Sequence, residues 1–147
     1  MPHGRQKAVA AYNSQGNSGS SLPQIDSLRK RLSLVYVLVL LRQITPPSDA
    51  AEAGHVRFID SLIKDNKILL GGPFAPNVAG DVEGAYLLAC SSPEEAHDLM
   101  CRDPLIESGS HRGEMAEWIL VGINPDAINP ELAVRPGDID APTRDTP

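Results

Sequence analysis

The chain has 147 residues and a formal net charge of −6, from 19 Asp plus Glu against 13 Lys plus Arg, a length that suits one domain with a real core rather than two. The acidic balance argues against nucleic acid as a partner, because gripping a phosphate backbone requires cationic patches. The only two cysteines, Cys90 and Cys101, lie in apolar runs and are expected to be buried free thiols; scattered histidines and no Cys-x-x-Cys argue against a metal site.

Residues 1–33 read as a flexible N-terminal arm. Ala11 to Ser21 is too polar to bury surface against its ordering entropy, while Leu22, Ile25, Leu28 and Leu32 recur at the spacing of a short helix. The positive charges of the arm sit at its two ends rather than in one block. Ser33 to Leu41 follows, with Val35, Tyr36, Val37 and Val39 predicting a central strand. The apolar run Leu34–Leu41 is far too short to span a bilayer, and no apolar signal core precedes it. A cytoplasmic chain with no membrane partner is therefore expected.

Pro46-Pro47 closes the strand, and a helix opens at Ser48-Asp49, where Ser48 is one cap and Asp49-x-x-Glu52 fits a capping box. His55, Phe58, Ile59, Leu62 and Ile63 form its apolar stripe. Ile68 to Leu70 reads as a short strand ended by Gly71-Gly72-Pro73, residues 75–83 as a loop, and Gly84 to Cys90 as the next strand. Ser92-Pro93 with Glu94 and Glu95 starts a second helix, whose packing face is Ala96, Leu99 and Met100 and which Pro104 stops. Leu105 to Arg112 is predicted as a loop and Met115 to Val121 as the last strand, with Trp118 and Leu120 sharing a face. The resulting β-α-β-β-α-β order is the ferredoxin-like α+β pattern, spanning residues 34–122. Residues 123–147, punctuated by five prolines, read as an extended C-terminal arm.

These elements resemble the YCII-related family of small dimeric proteins. The matching features are the strand Tyr36 to Leu41, His55 in the first helix and "KILLGGPF" from Lys67 to Phe74. The Ser92 to Met100 helix, "RDPLIESG" from Arg102 to Gly109 and the strand "AEWILV" complete the match. The resemblance implies a dimeric α/β barrel built from ferredoxin-like subunits. It also implies a His–Asp pair, which falls here on His55 and Asp103. The family is functionally mixed and includes a dehydrochlorinase of a chlorinated hydroxyquinol.

His55 lies on the helical stripe that faces the sheet. An imidazole, with an ordinary pKa of about 6.5, accepts and returns a proton near neutrality. Asp103, set before a proline, either builds a turn or orients that ring. His111, after Ser108-Gly109-Ser110, is a third catalytic candidate at a cavity rim, and Arg112 is a candidate for binding a phenolate or carboxylate. Tyr36, Phe74, Tyr86 and Trp118 are expected in the core or as substrate-binding walls; His97, off the apolar stripe, is expected to be exposed. Gly71-Gly72-Pro73 lacks the spacing of a phosphate loop, and no dinucleotide fingerprint occurs, so no cofactor is expected.

The leading expectation is a cofactor-independent lyase or isomerase acting on a small, largely apolar oxygenated metabolite by His/Asp acid–base catalysis. The alternative is a non-catalytic small-molecule-binding or structural homodimer. A homodimer is expected in either case, because the strands at Leu34–Leu40 and Leu87–Leu88 carry apolar residues on both faces.

Overall fold

The computed structural model describes residues 33–76 and 80–133, of which all past Ser33 belong to one compact unit, Leu34–Pro147. The predicted helix over Leu22–Leu32 and the tail beyond Ala133 lie outside the described residues. In chain order the elements are β1 (Val35–Gln43), α1 (Asp49–Lys64), β2 (Ile68–Pro73) and β3 (Val82–Cys90). After these come α2 (Pro93–Cys101), a one-turn helix α3 (Pro104–Glu107) and β4 (His111–Glu117). The strands form one antiparallel sheet in the order β2-β3-β1-β4.

The α+β class and the β-α-β-β-α-β order are those expected, but the dimeric α/β barrel is corrected: the sheet is open. β2 and β4 are its two edges, with β3 and β1 between them, and the edges do not pair with each other. With neighbouring strands rotated by roughly 20–25°, four strands make a twisted open sheet whose edges stay apart.

Helices cover one face. Val37, Val39 and Leu41 alternate inward from β1, and Tyr86, Leu88 and Cys90 from β3. They meet Ala51 and Leu62 of α1, Ala96 and Met100 of α2, and Leu105 of α3. Ser48 is the cap that α1 uses, its side chain accepting from Ala51 N–H at 3.1 Å, and Ser92 caps α2 by accepting from Glu95 N–H at 3.1 Å.

Several boundaries move. The Gly71–Pro73 segment stays in β2 because its backbone lies against β3: a Cβ on Gly71 would sit 2.8 Å from that of Tyr86. Pro104 ends α2 as expected but also begins α3, since its missing N–H costs nothing in a first turn. What reads as a loop from Leu105 is therefore helix and then strand. Gly109, at φ +81°, turns the chain so that β4 starts at His111 and ends before Trp118. The tail carries two short 3-10 turns, Pro125–Ala127 and Pro130–Leu132, rather than running fully extended to Ala133. Cys90 is buried as expected, but Cys101 is exposed, on the α2 face away from the core beside the exposed His97.

Candidate active site

Asp103 is the most enclosed charged side chain of the fold, with no exposed surface, and three groups converge on its carboxylate. His55 Nδ1 lies 2.8 Å from Oδ1, Leu105 N–H donates to the same oxygen at 3.0 Å, and Tyr86 O–H donates to Oδ2 at 3.1 Å. Local sequence produces this arrangement: Asp103-Pro104 is the cap and first residue of α3, so the carboxylate is pinned while its second oxygen points at β3. An ionised carboxylate only accepts, which places the ring proton on Nδ1 and leaves the Nε2 lone pair free. Among the described residues Nε2 has no hydrogen-bond partner. Burial, then the Asp103 charge, push the Tyr86 phenol far above the ordinary tyrosine range, so it remains a donor.

His55, with 22% of its side chain exposed, opens onto a cavity of about 1330 Å³. Its walls come from α1 (Val56, Ile59, Ile63), from β2 and β3, and from the segment between Trp118 and Ala133. They are mostly apolar, a setting in which a few polar groups fix a ligand's orientation. Of the residues singled out in the sequence, His55, Tyr86 and Trp118 line this cavity, and Asp103 sits directly behind His55. Tyr36, Phe74, Arg112 and His111 do not line it. Tyr36 is half-buried on β1, Phe74 is exposed after β2, and the exposed Arg112 bonds Glu114 at 3.2 Å.

His111 belongs to a second pair. It is buried rather than at a rim, and its Nε2 lies 2.6 Å from Oε2 of Glu83, which does line the cavity. Ser110 Oγ lies 2.9 Å from His111 Nδ1, and Ser108 Oγ donates to the Leu105 carbonyl at 3.2 Å. Glu83 is the residue the sequence reading missed. Strict alternation sets it on the same face as Ala85 and Leu87, away from the helices. In the sheet, Leu41 pairs with Gly84 and Arg42 with Val82, so Glu83 is the extra residue of a β-bulge and its side chain is turned toward His111. No pattern in the sequence marks that bulge.

Among the described residues no group of three or more His, Cys, Asp or Glu side chains is arranged to hold a metal ion, and no helix is long and apolar enough to cross a membrane.

The profile of the YCII-related domain matches residues 35–119. The uncharacterized protein YjpA of Bacillus subtilis (strain 168) is 37% identical over 68 residues, which cover 46% of this chain and 75% of that protein. Among solved structures, the 5-chloro-2-hydroxyhydroquinone dehydrochlorinase (TftG) from Burkholderia phenoliruptrix AC1100, in complex with 2,5-dihydroxybenzoquinone, aligns with a TM-score of 0.43. Identity there is 20%, covering 56% of this chain and 92% of that one, a likeness too distant to speak for the chemistry.

Proposed function

This chain belongs to the YCII-related family, and from that premise we propose that it is a cofactor-independent lyase or isomerase acting on a small, largely apolar oxygenated or phenolic metabolite. The observation that carries the reading is the state of His55: one ring nitrogen is held by a wholly buried carboxylate, and the other is unpartnered on a residue that lines an apolar cavity. Nε2 takes a proton from a C–H or O–H of the substrate. Asp103 holds the Nδ1 proton and stabilises the imidazolium, and Tyr86 and Leu105 N–H keep Asp103 in place. In an elimination, the electrons of the broken C–H bond form the double bond, the leaving group departs with its bonding pair, and the imidazolium returns the proton to it. In an isomerisation the same proton returns to a different carbon. Arg112 and His111 are outside this step, being tied to Glu114 and Glu83.

The same reading includes a homodimer. Tyr36, Leu38 and Leu40 on the sheet face away from the helices are only half-buried, and the cavity exceeds the ~300–1,000 Å³ of ordinary small-molecule pockets, leaving room that a second copy would narrow. The test of the catalytic reading is incubation with enolisable phenols and hydroxy-enones in D₂O, followed by NMR. Wild type exchanges or converts at least one of them, and His55→Ala loses at least about a hundredfold in that rate with binding retained. Binding without exchange or conversion would instead favour a non-catalytic binding protein, and near-normal turnover by His55→Ala would remove His55 from the step.

A further inference from the structure

Glu83 has a position that the acid–base step does not use. Its backbone is fixed by Phe74 N–H, which donates to the Glu83 carbonyl at 2.7 Å. The bulge aims its side chain at His111, and the 2.6 Å contact with Nε2 occupies Oε2. With Glu83 a carboxylate, Nε2–H donates to it. On the other side of the ring, Nδ1 lies 2.9 Å from Ser110 Oγ, whose hydroxyl also reaches the Leu105 carbonyl at 2.9 Å. Both nitrogens of the buried imidazole are thus engaged, one of them on the Glu83 carboxylate. The other oxygen, Oε1, has no hydrogen-bond partner among the described residues, and 47% of the side chain is exposed. Glu83 and His55 line the same cavity.

We propose that Glu83 determines substrate choice: its free oxygen receives a proton-donating group at the end of the substrate remote from His55, and its charge turns away molecules with a carboxylate at that end. This rests on reading the cavity as the substrate site. Three physical points support it. A buried histidine, met on its far side by Ser110, fixes one half-exposed carboxylate, whereas an ordinary surface glutamate is left free to rotate. Glu83 and Tyr86, whose hydroxyl reaches the Asp103 carboxylate behind His55, are three residues apart on β3, roughly 10 Å, so one small molecule can engage both ends. The walls between are mostly apolar, so the polar ends of a ligand have few other places to go. The substrate class is therefore a small molecule with an apolar middle, an acidic C–H or O–H at one end, and a hydroxyl or ammonium at the other.

Calorimetric titration with four matched phenols tests this: para-ethylphenol, tyrosol, tyramine and para-hydroxyphenylpropionate, which share a ring and differ at the far end. For wild type, tyrosol or tyramine binds at least about tenfold more tightly than para-ethylphenol, as a charge-assisted hydrogen bond allows, and the carboxylate binds weakest. Whichever of the two leads identifies the far group as hydroxyl or ammonium. Glu83→Gln keeps the side-chain shape and a bond to His111, and brings tyramine and para-hydroxyphenylpropionate to similar affinity; Glu83→Ala does the same. Equal affinities in wild type, no binding of any of the four, or an unchanged order in both variants overturns the assignment. His55→Ala keeps the wild-type order of affinities while losing turnover. Loss of that order in the Glu83 variants alone, with no turnover by wild type, would therefore sink the acid–base reading and leave the Glu83 assignment standing.

Discussion

Asp103 receives three hydrogen bonds in a site closed to water, and each would leave an orphan if the carboxylate changed. Asp103→Asn offers one acceptor oxygen where two were used, and its amide favours the tautomer with the proton on Nε2. Turnover is expected to fall by at least about a hundredfold, as for His55→Ala, with the tautomer change visible in ¹⁵N spectra of the imidazole. Tyr86→Phe leaves the buried Oδ2 of Asp103 without its donor, and a loss of about 1–3 kcal/mol is expected in denaturant unfolding. The raised Tyr86 pKa has a definite sign: the folded state favours the neutral phenol. That contribution is complete below the ordinary tyrosine pKa of about 10 and is lost as pH rises through the higher folded value. Tyrosinate absorbance in the folded protein should therefore show one phenol that does not ionise with the others. The cysteines separate in the same way: burial pushes the Cys90 thiol up to about 11, so a maleimide should label exposed Cys101 and reach Cys90 only on unfolding.

At the scale of elements, the entry to α2 is held by more than its cap. Glu95 accepts from Ser91 N–H at 2.7 Å and from Lys67 Nζ at 2.6 Å, tying the helix start to the residue before β2. The Lys67 bond and then the Ser91 bonds lower the Glu95 pKa to about 2. A depressed carboxylate stabilises the fold above its unfolded value, near 4.5, and that contribution is lost as pH falls through the folded value. Acid unfolding curves of wild type and Glu95→Gln should converge over that interval. Ser92→Ala removes the cap itself, and a loss of about 1 kcal/mol is expected. Gly84 sits where β2 and β3 press together, and an added Cβ would lie 2.8 Å from the Gly72 carbonyl oxygen. Because backbone cannot swing aside, Gly84→Ala should cost about 1–3 kcal/mol, read by thermal unfolding, and should also shift the cavity wall beside Glu83.

For the molecule as a whole, the measurement that matters is mass in solution. Leu69, Leu70, Phe74 and Trp118 are exposed on and after the edge strands, in addition to the half-buried row on the sheet. At roughly 25 cal/mol per Å² of apolar area, burying a few hundred Å² would contribute several kcal/mol before association costs. Light scattering over a dilution series through the micromolar range is expected to report two chains. A mass of one chain throughout would remove the dimer, though not the His55–Asp103 geometry, which lies within one chain.

Element order, the two helix starts and the His55 stripe were legible in the sequence because they follow from local rules: serine caps, proline at the first helical position, and apolar spacing of 3.6 or 2. Asp103 was legible in part, since Asp-Pro announces a cap whose target the sequence does not name. Its contact with His55 joins residues 48 apart and with Tyr86 residues 17 apart, and such meetings depend on how α1, α3 and β3 pack. Whether the sheet closed was also undecided locally, because apolar residues on both faces of a strand suit an open sheet as well as a barrel. Glu83 was hidden most completely: period-two alternation sends it away from the helices, and one extra residue opposite the Leu41–Arg42 step reverses it. Local propensity and patterning, written in the chain, determined which segments became helix or strand. Helix packing and strand register, each a property of two elements at once, decided which carboxylates met which imidazoles.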